Sequence, residues 1–243
     1  MNNPNKYLRY SALAFITSGA LILGGCSDNN NDSPAPITPP VVAPVMQSYT
    51  VAVTNLTANQ PMSPIAVVNH QVDTVLWTSG DSASLALETL AESGDASGLS
   101  DEATVTELTN GAGVLLPGAT ESIAISLNSE EIADLSVVTM LVNTNDAFAG
   151  FTGYDLTNLT VDESMTFRVI AYDAGTEANS EAKGTIPGPA DSGEGFNAAR
   201  DDSNLVHAHS GVISRDDGLA DSVLAASHRF DNPVLLITVS RTE

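Results

Sequence analysis

Polar and apolar residues alternate with a period of two in several well-separated stretches of this chain. Tyr49, Val51 and Val53 alternate with Thr50, Ala52 and Thr54, and the pattern recurs over Glu121–Leu127 and Met165–Tyr172. A period of two lines one face of a strand with apolar side chains and leaves the other face to water. Leu135–Val142 differs, being a mostly apolar run rich in β-branched residues, with only Ser136 and Thr139 polar, as a strand buried on both faces would be. Val234–Arg241 supplies a last strand. Strands at this spacing predict a mainly β protein built as an antiparallel sandwich, with one or two short helices in the connections.

The first helix is expected from a cap at Ser82, through an apolar face of Leu85, Leu87, Leu90 and Ala91, to a stop at Gly94. A second, shorter helix is expected to start at Ser100, with Asp101 and Glu102 in its first turn. Ala174–Asn204 is rich in Gly and Pro and reads as one long loop, a length that usually carries function.

The first 48 residues have a different character. Lys6 and Arg9 precede a mostly apolar run from Ala12 to Leu23. That run is shorter than the about 20 residues a helix needs to cross a bilayer, so residues 1–25 read as a secretory signal. Leu23-Gly24-Gly25-Cys26 resembles a bacterial lipobox, which makes Cys26 the expected lipidation site, and Ser27 behind it favours outer-membrane sorting. Residues 26–48 then form a tether. Pro34, Pro36, Pro39, Pro40 and Pro44 remove backbone donors and fix φ, so this stretch has no means of folding alone. Residues 49–243 form the folded domain.

Charge narrows the function. Eight Lys+Arg face thirty Asp+Glu, a formal net charge of −22. Binding nucleic acid requires clustered cations on one face, which this chain lacks. One cysteine excludes a disulfide framework and any multi-cysteine metal site.

Carboxylates instead gather beside the ends of the expected strands. Asn143-Thr-Asn-Asp146 follows the buried run, and Tyr172-Asp173-Ala-Gly-Thr-Glu177-Ala-Asn179-Ser-Glu181 follows the next alternating strand. Hard cations such as calcium take several oxygen ligands, commonly two or three of them carboxylates. Gly175 permits a turn that carries Asp173 and Glu177 round one ion. No Lys or Arg occurs between residues 10 and 167 to compete. By spacing alone, the same carboxylates also read as an ordinary acidic surface.

A resemblance bears on that choice. Asn55-Leu-Thr-Ala-Asn-Gln-Pro-Met-Ser-Pro64, Gly80-Asp-Ser-Ala-Ser84, Leu90-Ala-Glu-Ser-Gly-Asp95, Leu116-Pro-Gly118, Met140-Leu-Val-Asn-Thr-Asn-Asp-Ala-Phe148 and Asp173-Ala-Gly-Thr-Glu177 occur in this order. Together they resemble the spondin N-terminal domain family, densely as far as Glu181 and more loosely to Glu243. The resemblance implies an eight-stranded antiparallel β-sandwich, a variation on the calcium-dependent membrane-targeting sandwich. It also implies a matrix or adhesion module rather than an enzyme. It further implies one calcium ion held by Asp146, Asp173 and Glu177. Glu177 stands where animal members carry Asp, and the longer carboxylate still reaches an ion. Animal members carry disulfides, and this domain has no cysteine.

Two other features compete. His207 and His209 are alternate residues of an expected strand, so both imidazoles share a face, and with His228 they could form a zinc site, although the plainer reading is hydrogen-bonded histidines lining the sandwich edge. Nucleophilic catalysis has little support, because there is no Gly-x-Ser-x-Gly elbow and no His-Glu-x-x-His helix. The expected protein is a lipid-anchored module of the outer membrane. It binds calcium and acts in adhesion or ligand binding, with an extracellular protein or a glycan as partner and no nucleic acid. The rivals are a metal-dependent envelope hydrolase using the histidines, and a structural envelope protein without a ligand.

Overall fold

The computed structural model describes residues 43–243; the expected signal sequence, Cys26 and most of the tether lie outside the described residues. The strands are β1 (Met46–Asn55), β2 (Ala66–His70), β3 (Val105–Asn110), β4 (Thr120–Asn128), β5 (Asp134–Met140), β6 (Ala147–Asp155), β7 (Ser164–Val169), β8 (Ala171–Asp173), β9 (His207–Ala208) and β10 (Leu235–Arg241). One α-helix, α1, spans Leu85–Ser93. β1 opens three residues ahead of the expected domain boundary, so Met46, Gln47 and Ser48 belong to the sheet rather than to the tether.

The strands form two antiparallel sheets, one ordered β4-β1-β10-β7 and the other β3-β2-β5-β6-β8-β9. Among the described residues, eight strands have five residues or more, as the family resemblance implies, and the short β8 and β9 extend one edge. The register follows the alternation. Val51 stands opposite Ile123 of β4 and Val239 of β10, so all three point into the space between the sheets. Val67, Leu135 and Val137 meet them from the other sheet. Burying each such side chain is worth about 1.5–3 kcal/mol relative to leaving it exposed.

The mostly apolar, fully buried character of β5 also has its cause here. The second face of the six-stranded sheet is covered as well, because Leu87, Leu90 and Ala91 of α1 and the indole of Trp77 pack on Val68, Val138 and Phe148. Every residue of β5 is therefore buried, whereas β1 and β4 alternate because their outer face meets water. Phe148 stacks with Tyr172 at 5.5 Å between centroids, and Trp77 meets Phe148 edge-on at 5.1 Å.

α1 starts at Ser84 rather than at the expected Ser82. The Ser84 hydroxyl accepts from the Leu87 N–H at 3.2 Å, while Ser82 donates to the Asn204 carbonyl. Gly94 ends the helix at φ 76°, and a Cβ there would stand 2.7 Å from that of Ser63, so the stop serves both the turn and the packing. The second helical segment is a 3₁₀ turn over Ser97–Asp101, three residues ahead of its expected start, and the Asp95 carboxylate accepts from the Ser97 N–H at 2.9 Å. Among the described residues no helix is long and apolar enough to cross a membrane.

Candidate metal centre

Sheet register assembles this end of the sandwich. β6 begins at Ala147, which pairs with Asp173 at the end of β8, and Asp173 pairs in turn with His207 at the start of β9. Asp146, one residue ahead of that pair, accepts the Ala174 N–H on its carbonyl at 3.3 Å. Asp146 and Asp173 are thus neighbours because two strands stop at the same level. The β8–β9 loop then turns back over them. Gly175 sits at φ 69°, and a Cβ on it would lie 2.4 Å from the Leu205 carbonyl oxygen, so glycine is required for both conformation and approach.

The turn delivers its N–H groups to Asp146. Oδ2 of Asp146 accepts from the Thr176 N–H at 2.8 Å, the Glu177 N–H at 3.1 Å and the Thr176 hydroxyl at 3.3 Å. Oδ1 of the same carboxylate is buried and has no hydrogen-bond partner among the described residues. Asp173 accepts from the Gly175 N–H at 2.7 Å on Oδ1 and from the Asn179 amide at 2.5 Å on Oδ2. Glu177 Oε1 accepts from the Asn145 amide at 3.2 Å.

These acids repel one another in a dry place. Burial, followed by the charge of Asp173, pushes the Asp146 carboxyl up to about 7. Burial also lifts Glu177 to about 7, helped by Glu92, Asp146 and Asp201 and opposed by the Asn145 amide. Glu92 comes from the buried face of α1, accepts from the Asn197 N–H at 2.8 Å and is itself raised by burial. Arg200, whose charge bears on Glu92, is already committed. It donates to Glu88 from Nε at 3.0 Å and from a terminal nitrogen at 2.5 Å, and to the Ala83 carbonyl at 2.9 Å.

The three expected ligands therefore lie in one cluster, with Glu92 and Asp201 beside them. They do not form a ready-made coordination shell: among the described residues no three His, Cys, Asp or Glu side chains converge closely enough to hold an ion as they stand. The chemistry nevertheless fits a hard divalent cation, since the donors are oxygens, the carboxylates lack compensating charge and one buried oxygen is orphaned.

The histidines behave otherwise. His207 and His209 share a side, as alternation predicts, at 3.9 and 4.0 Å from the Asp173 carboxylate. His209 Nδ1 accepts from the Gly211 N–H at 2.9 Å, and its Nε2 faces the Asn179 carbonyl oxygen at 3.1 Å. Both nitrogens of this fully buried ring are thus engaged, and burial holds it below its usual pKa. His207 donates from Nδ1 to the Leu205 carbonyl at 2.9 Å. His228 uses Nδ1 to accept from the Ala225 N–H on a separate 3₁₀ turn. The three imidazoles have no common focus.

Glu92, Asn145, Asn179 and Asp201 received no role from the sequence alone. Glu88 and Glu92, four residues apart on the apolar side of α1, were a legible signal of buried carboxylates.

No curated protein matches this chain. A family model, Spondin_N, matches residues 54–185 and so takes in Glu92, Asp146, Asp173 and Glu177. With that match spanning more than half of the 243 residues, and a two-sheet antiparallel sandwich beneath it, the chain belongs to the Spondin_N family.

Proposed function

We propose that this chain is a calcium-binding Spondin_N module, held to the cell envelope by a lipid on Cys26, that acts in adhesion or ligand binding rather than catalysis. The observation that carries the calcium reading is Asp146: a fully buried carboxylate with an orphaned oxygen, facing other acids and no free cation among the described residues. Asp146, Asp173 and Glu177 would hold the ion. Its chemistry there is charge compensation and cross-linking of the β5–β6 and β8–β9 loops, which presents one end of the sandwich as a rigid surface. The Cys26 lipid would fix the module to the outer membrane, as the leader and the Leu-Gly-Gly-Cys stretch suggest. An acidic surface with a bound divalent cation suits an extracellular protein or glycan partner. Calorimetric titration of the chelator-stripped full chain with calcium tests the reading: one saturable event supports it, and flat heats refute it.

A further inference from the structure

We propose that His209 is a positioning residue for this site, holding Asp173 in place through Asn179. The proposal rests on the calcium reading above. The direction of each hydrogen bond is set by a group that has no choice. The Gly211 backbone N–H can only donate, so His209 Nδ1, 2.9 Å away, must accept. In the neutral ring the proton then resides on Nε2, which donates to the Asn179 side-chain oxygen at 3.1 Å. That in turn fixes which way the Asn179 amide faces. Its nitrogen is turned to Asp173 Oδ2 at 2.5 Å, where the flipped amide would set oxygen against oxygen. The Gly175 N–H secures Oδ1 at 2.7 Å, so the Asp173 carboxylate is held at both oxygens.

The relay is rigid as well as directional. The His209 side chain is fully buried, its ring lies 5.5 Å from that of Phe230, and its backbone N–H binds the Ala171 carbonyl at 3.0 Å. His209, Gly211 and Phe230 all lie beyond residue 185, where the Spondin_N match ends. The later segment of this chain therefore supplies the outer support of a site whose ligands lie within the matched region. Outer partners of metal-binding carboxylates matter because they fix ligand orientation before the ion arrives.

The test compares His209→Met with His209→Gln in the full chain, reading calcium affinity by calorimetry and apo melting temperature separately. Methionine fills the volume but donates nothing, whereas the glutamine amide can still donate to Asn179. His209→Met should weaken calcium by about 10- to 100-fold, and His209→Gln should recover most of that loss. A bulk structural role would instead lower the apo melting temperature of both without separating their affinities. If wild type binds calcium and His209→Met binds equally well, the relay is wrong and the site stands. If wild type itself gives flat heats, the calcium reading falls and the relay falls with it. Should the variants fail to fold, long-range nitrogen-15 spectra of the wild-type apo protein still decide. An Nε2-protonated His209 supports the relay, and an Nδ1-protonated ring overturns it.

Discussion

Asp146 lies beside Asp173 because Ala147 pairs with Asp173 across β6 and β8, and that single register contact sets two buried carboxylates against each other. Burial and the neighbouring charges raise the proton affinity of the cluster. Asp146 and Glu177 have ordinary values of 3.8 and 4.5 and are both pushed up to about 7 in the folded chain. The folded state then binds more protons than the unfolded one between about pH 4 and 7, so its stability is greatest below that window and falls as pH rises through it. The melting temperature of the calcium-free chain should therefore drop between pH 5 and pH 8. Asp146→Asn keeps the three bonds to Oδ2 and removes the charge, so it should flatten the drop. A melting temperature that climbs over this range would contradict the assignment.

The pair Glu88–Arg200 ties α1 to the β8–β9 loop. Glu88 is buried while Arg200 is 27% exposed, so Arg200→Met strands a carboxylate whose partner was partly hydrated. The expected loss is about 2–3 kcal/mol, below the penalty of a wholly buried pair. Urea unfolding would measure it, and adding Glu88→Gln should return part of the loss. Equal stability of Arg200→Met and wild type would show that the bridge does not hold the loop.

Gly175→Ala combines a left-handed backbone with a contact of 2.4 Å to the Leu205 carbonyl. It should cost more than about 1 kcal/mol, since alanine is strained wherever φ is positive. Hydrogen exchange should localise the effect to the β8–β9 loop, with the protection of β1 and β10 unchanged.

Much of this architecture was legible beforehand. The alternation in β1 and β4 marks one dry face, and the mostly apolar run in β5 marks two, the second supplied by α1. Strand ends point to the acid-rich stretches that hold Asp146, Asp173 and Glu177, and the family resemblance, not spacing, singles those three out as the expected ligands. Ser84 and Ser82 are equally good caps by type, and only the tertiary bond from Ser82 to the Asn204 carbonyl separates them. The partners of the histidines are hidden for a related reason. Alternation places His207 and His209 on one side, but while the Gly211 bond to His209 is local, the commitment of its Nε2 comes from Asn179, 30 residues away, which no local spacing reveals. Glu92 reaches the cluster from a helix that lies far from it in the chain.

For the anchor, Cys26→Ala should yield an unprocessed precursor or a soluble form. Acyl chains contribute about 0.8 kcal/mol per buried CH₂, so two or more on Cys26 would hold the wild-type chain at a membrane. Detergent phase partitioning distinguishes the two proteins. Wild type in the aqueous phase would remove the lipoprotein reading without touching the sandwich.

The central claim is a calcium ion at Asp146, Asp173 and Glu177, and the melting temperature of the chelator-stripped full chain tests it most directly. An ion that binds only the folded state raises the melting temperature as RT ln(1 + [Ca²⁺]/Kd) grows, so calcium should raise it here. With Kd in the range of about 10⁻⁴–10⁻³ M common to extracellular modules, the rise should become clear at millimolar calcium. Asp146→Asn should melt at least as high as wild type without calcium at pH 8, and should lose most of the rise. A wild-type melting temperature that stays constant across the titration, or an undiminished rise in Asp146→Asn, would contradict the account.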